Sequence, residues 1–123
     1  MHLKLILTLG LIVLFFNPAY ATASQDGFKV PFAYGLGKNL FAKNCSGCHG
    51  KWGKGTPNGP SLMHPVYVSS HHGDQAFYRA ALNGVRSHHW KFGDMPPVPG
   101  IDRVTLAKIV PYIRWLQQKN GIK

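Results

Sequence analysis

The chain has 123 residues, 45% of them apolar and 15% charged, which suffices for one domain and is too short for a second of ordinary size. Fourteen Lys and Arg against four acids give a formal net charge of +10. The positive residues are scattered and no nucleic-acid motif accompanies them, which argues against nucleic acid and for an acidic protein partner or an anionic membrane surface.

Met1-His2-Leu3-Lys4 carries one cation and precedes an apolar run, Leu5 to Phe16, interrupted by Thr8 and Gly10. The run falls short of the ~20 apolar residues that a spanning helix needs. It ends in Asn17-Pro18 and the small-residue patterns Ala19-Tyr20-Ala21 and Ala21-Thr22-Ala23, the layout of a secretory signal peptide cleaved after Ala21 or Ala23. The expectation is a protein exported to a bacterial periplasm, soluble or loosely membrane-associated, with residues 1–23 as leader and 24–123 as a single domain. Loss of Lys4 with the leader leaves a formal charge of +9. An uncleaved anchor is the competing reading, and the length of the run counts against it.

Gln25 to Ala33 reads as an irregular arm, because Pro31 opposes a helix through it. Leu36, Leu40 and Phe41 then fall at helical spacing and predict a helix that runs into Cys45. Gly37 lies on or beside that face. Glycine costs ~1 kcal/mol relative to alanine in a helix interior, so the position predicts the close approach of a second helix.

Cys45-Ser46-Gly47-Cys48-His49 is the motif around which the chain is organised. One helical turn separates the sulfurs, so each can add to one of the two vinyl groups on a haem edge, with His49 beneath the iron. A structural zinc site would need a second ligand pair, and these are the only cysteines. A redox dithiol would need a βαβ frame with buried runs of Val, Ile and Thr, and such runs are missing. In an exported protein, thioether bonds also remove both thiols from disulfide exchange.

Gly50 to Pro60 is rich in Gly and Pro and reads as loop. Leu62 to His72 contains Met63, His64, His71 and His72, which are either solvated loop residues or metal ligands. Asp74 reads as the cap of a short helix that carries Phe77, Ala80, Ala81 and Leu82 on one side and ends at Asn83-Gly84. Val85 to Gly100 holds Met95 between Gly93 and two prolines, where turned backbone can present a side chain to a buried metal. Trp90 and Phe92 are placed to shield a cofactor edge, and the Trp90 indole to donate to a haem propionate. Asp102 caps a final helix in which Val104, Leu106, Ile109, Val110, Ile113 and Leu116 recur with the helical period. Pro111 interrupts it and predicts a kink or a restart.

Taken together, these residues resemble the small class I c-type cytochromes over roughly residues 35 to 118. Gly37 and Phe41 stand where that family's N-terminal helix carries a glycine and an aromatic. Gly59-Pro60 follows the haem motif at the family's spacing, Gly93-Asp94-Met95-Pro96-Pro97 looks like its methionine segment, and Ile109, Tyr112 and Trp115 stand in a similar last helix. The resemblance implies an all-α cytochrome c fold of three to four helices and loops wrapped around one covalently bound haem c. It further implies His49 as proximal iron ligand, Met95 as distal ligand, Cys45 and Cys48 as thioethers, and the Pro60 carbonyl as acceptor for the His49 ring. Gly37 is then expected to meet an aromatic of the last helix, an expectation that Pro111 places in doubt.

The function implied is one-electron carriage between larger redox proteins with acidic docking patches, without enzymatic turnover. Two readings compete with it. If Met95 leaves the iron open, the protein is a peroxidase or a sensor of gas or redox state. If His71-His72, His88-His89 and Met63-His64 act as ligands, it handles copper.

Overall fold

The computed structural model describes residues 29–123; the leader at 1–23, with Ala21 and Ala23, and the first part of the arm lie outside the described residues. Four α-helices and no strand occur among the described residues: α1 (Phe32–Asn44), α2 (Ser46–His49), α3 (Asp74–Asn83) and α4 (Arg103–Lys119). A single 3-10 turn, Pro65–Tyr67, lies in the long connection between α2 and α3.

α1 begins at Phe32 rather than Leu36. Pro31 takes the N-cap position, with φ −59° and ψ 148°, so the residue read as a breaker is the boundary from which the helix starts. A tertiary contact rewards the extra turn, since the Tyr34 ring stacks on Trp115 at 5.6 Å. Leu36 is 56% exposed and lies off the buried face, whereas Phe41 and Gly37 are buried.

α1 crosses α4 at Gly37. A Cβ there would stand inside hard contact distance of the Lys108 carbonyl oxygen and 2.9 Å from Tyr112 Cβ, so only glycine allows this approach. The Tyr112 ring meets Phe41 edge-on at 5.7 Å and stacks on Trp115 at 6.0 Å. Each such aromatic pair contributes about 0.5–1.5 kcal/mol beyond area burial. Burial pushes the Tyr112 hydroxyl up to about 12 and keeps it neutral.

α4 runs unbroken through Pro111, and the expected kink or restart gives way to one helix of 17 residues. Pro111 cannot donate to the Ala107 carbonyl, but both residues are on the exposed side, so the freed carbonyl is not stranded in the core. The contact between Gly37 and Tyr112 is made. Val104, read as apolar face, is 74% exposed because it sits in the first turn, before the helix reaches the core. Asp102 is the N-cap, its carboxylate accepting from Thr105 N at 2.7 Å.

The N-cap of α3 is Gly73, and Asp74, read as the cap, is the first helical residue. Its carboxylate is turned toward α4, where Arg114 Nε donates to it at 2.8 Å. The same guanidinium donates to the carbonyls of Tyr67 at 2.8 Å and His72 at 2.6 Å, and to Gln117 Oε1 at 2.7 Å. Buried Gln117 donates in turn to the Leu62 carbonyl at 3.0 Å. Two polar side chains of α4 therefore hold down the connection from 62 to 74, which has no regular ladder of its own.

Candidate functional site

α1 ends at Asn44, and after Cys45, whose φ is −125°, the chain makes the single turn α2. The expected helix thus breaks at the first cysteine and resumes. His49 N and Cys48 N both donate to the Cys45 carbonyl, at 2.9 and 3.3 Å, which holds the pentapeptide as one turn. Cys45 is half-buried, and burial pushes its thiol up to about 11; Cys48 is exposed. The two sulfurs are not joined in a disulfide.

His49 Nδ1 lies 2.9 Å from the Pro60 carbonyl. A carbonyl only accepts, so Nδ1 carries the proton and Nε2 presents its lone pair. Burial holds the His49 imidazole below its ordinary range, against the pull of that hydrogen bond, and keeps it neutral. Neutral imidazole with an anchored N–H is the form in which histidine ligates metals. The loop that carries Pro60 is fastened to the motif itself: Gly55 N donates to the His49 carbonyl at 2.7 Å and Thr56 Oγ1 to the Cys48 carbonyl at 2.6 Å.

Met95 is presented by a short antiparallel bridge. Its N–H donates to the Val85 carbonyl and its carbonyl accepts from Val85 N, both at 2.9 Å. Gly84, at φ 78°, ends α3 and lets the bridge close, since a Cβ there would lie 2.7 Å from the Met95 oxygen. Val98 N donates to the Ala81 carbonyl at 2.8 Å and ties the far end of the segment to α3. The Trp90 indole N–H, expected to face a propionate, donates to the Tyr67 hydroxyl at 3.0 Å. Phe92 is 45% exposed at the rim.

Cys45, Cys48, His49, Pro60, Trp90 and Met95 all line one cavity of about 820 Å³. Cofactor pockets commonly span about 300–1,000 Å³. Leu62, Phe77, Leu106, Ile109 and Ile113 supply apolar wall, the last three from the side of α4 turned away from α1. Two thiols, a neutral imidazole and a thioether around an apolar chamber fit an iron macrocycle attached through sulfur, and they do not make a four-ligand zinc site.

Tyr67 lines this cavity and Arg114 braces the backbone of Tyr67 and His72 behind it; neither was among the residues singled out from sequence. Burial raises the Tyr67 hydroxyl above its ordinary range, opposed by its bond from Trp90, so it remains a neutral partner in the wall. An aromatic residue isolated in a histidine-rich loop was the available signal for Tyr67. Arg114 gave none, because its partners outside its own helix lie 40 to 47 positions away.

The other candidate ligands separate into two groups. Met63 Sδ accepts from Asn120 Nδ2 at 3.5 Å and Met63 packs against the core, while His64 meets Trp90 edge-on at 4.8 Å. His71, His72, His88 and His89 instead converge on the cavity wall. Their ring centroids lie 4.5 Å apart for His71 and His72, 5.4 Å for His71 and His89, and 4.2 Å for His88 and His89.

Residues 35–117 match the family model described as Cytochrome c. No curated protein and no solved structure matches the chain.

Proposed function

The chain belongs to the cytochrome c family, whose members bind covalently attached haem c, and from that premise we propose an exported one-electron carrier with His49 and Met95 as its axial pair. The observation that carries this reading is that both cysteines, the anchored imidazole and Met95 line a single cavity. When bound, the haem supplies iron that alternates between ferrous and ferric states by one electron.

The residues do the rest. Cys45 and Cys48 would anchor the group through thioether bonds, each thiol adding its sulfur to one vinyl carbon and its hydrogen to the other. The Pro60 carbonyl orients the His49 ring and raises its basicity. Met95, on the wall of the same cavity, would hold the iron through its thioether, which would favour the ferrous state, as would the apolar wall. With His49 and Met95 both holding the iron, no position would be left for a substrate, so the reading is of a carrier and not an enzyme.

Exposed Lys43 and Arg79 lie on the cavity wall and offer a positive rim to an acidic redox partner or an anionic membrane surface. No helix among the described residues is long and apolar enough to cross a membrane. Export rests on the leader read from sequence. Carbon monoxide added to the reduced protein tests the closed iron. We expect an unchanged spectrum in the native chain and immediate binding in Met95→Ala. Immediate binding by the native chain would move the peroxidase or sensor reading to the front.

A further inference from the structure

We propose that His71, His72 and His89 form a second metal site, for a divalent ion of the zinc and copper class, where the cavity wall meets solvent. One ligand atom from each of the three lies within 4.8 Å of the others. The Nε2 atoms of His71 and His89 are 3.4 Å apart. Zinc–imidazole bonds of ~2.0–2.1 Å in tetrahedral array place neighbouring nitrogens ~3.3–3.4 Å apart, so this pair already stands at the spacing of a coordination edge.

The ligands are prepared as well as close. His72 Nδ1 is 2.7 Å from the Val66 carbonyl, which fixes the proton on Nδ1 and leaves Nε2 as the donor, the outer hydrogen bond that metal-bound imidazoles usually make. Both loops are braced. Arg114 holds the His72 carbonyl at 2.6 Å, and His72 N donates to the Val68 carbonyl at 2.8 Å. On the other loop, Ser87 Oγ donates to the Trp90 carbonyl and Ser87 N to Asp94 Oδ1, closing the turn that carries His88 and His89.

The donor set is all nitrogen, which suits zinc, copper or nickel and not calcium or magnesium, whose ligands are oxygens. His88 stacks beside His72 at 6.0 Å, and its Nδ1 lies 2.9 Å from the Arg86 carbonyl, which leaves its Nε2 lone pair open. His49 and Met95 take no part, and the site stands apart from the assignment of the iron ligands.

Equilibrium dialysis of the untagged haem-loaded protein against zinc, with metal and haem quantified together, tests the assignment. The expected result is one zinc per haem in the native chain and binding weakened more than about tenfold in His71→Gln/His89→Gln, the double variant retaining its haem spectrum and helical circular dichroism. A native chain that takes up no zinc, or a folded double variant that binds it as tightly as the native chain, would overturn the site. Loss of the haem spectrum on substitution, with no zinc bound by the native protein, would show that the imidazoles serve the haem instead.

Discussion

Arg114 has one guanidinium and four oxygen partners, on α3, on α4 and twice in the connection between α2 and α3. None of these four contacts can be kept by alanine. Arg114→Ala is therefore expected to destabilise the folded protein by about 2–3 kcal/mol in urea unfolding, the range for losing charged hydrogen bonds at a largely buried group. Arg114→Lys should recover little, because one ammonium cannot reproduce the planar fork. A loss within ~0.5 kcal/mol would show that the connection is held by something else. At this scale the sequence was legible where chemistry is contiguous: Cys45, Cys48 and His49 stand together, and Met95 is marked by its flanking prolines. It was illegible where a partner is distant, as with Trp90, whose indole meets Tyr67 from 23 positions away.

The crossing of α1 and α4 decides whether the elements hold their places. Gly37 permits it, and Gly37→Ala pits two effects against each other. Alanine improves helix propensity by ~1 kcal/mol, but its methyl group would collide with backbone at Lys108, which cannot swing aside as a side chain would. The collision is expected to win, with a net loss of about 1–3 kcal/mol in thermal or urea unfolding. A more stable variant would show that the helices cross farther apart. The glycine was readable as a point of close approach because it interrupts a helical face. The start of α1 was not, since the same Pro31 that opposes a helix through itself is well suited to precede one, and only the stacking of Tyr34 on Trp115 decides between them. Pro111 posed the same ambiguity in α4. Whether its missing donor disrupts a helix depends on whether the orphaned carbonyl faces core or solvent, which a single helical pattern does not reveal.

Across the whole molecule, the charge and the cavity combine into one account. In a chain of strongly positive formal charge, exposed Lys43 and Arg79 stand where the wall of an apolar chamber reaches solvent. Electron exchange with an acidic partner protein is expected to slow steeply between ~0.01 M and ~0.15 M salt, as the Debye length falls from ~30 Å to ~8 Å. Stopped-flow association rates indifferent to salt would remove the electrostatic part of the docking proposal. The architecture was legible from the ordered set of Gly37, the haem motif, Pro60, Met95 and the last helix, because each occupies a separate stretch. The convergence of the paired histidines was not, since His71 and His89 are 18 residues apart and meet only once Arg114 and Ser87 have shaped their loops.

The measurement that bears most directly on the central claim is the absorption spectrum of the oxidised protein, taken for the native chain and for Met95→Ala. A low-spin spectrum with the weak far-red band of sulfur bound to ferric iron, lost in the variant, is what the pairing of His49 with Met95 predicts. A high-spin native spectrum, or a low-spin one without that band, would contradict it and assign the distal position to an open site or to another ligand.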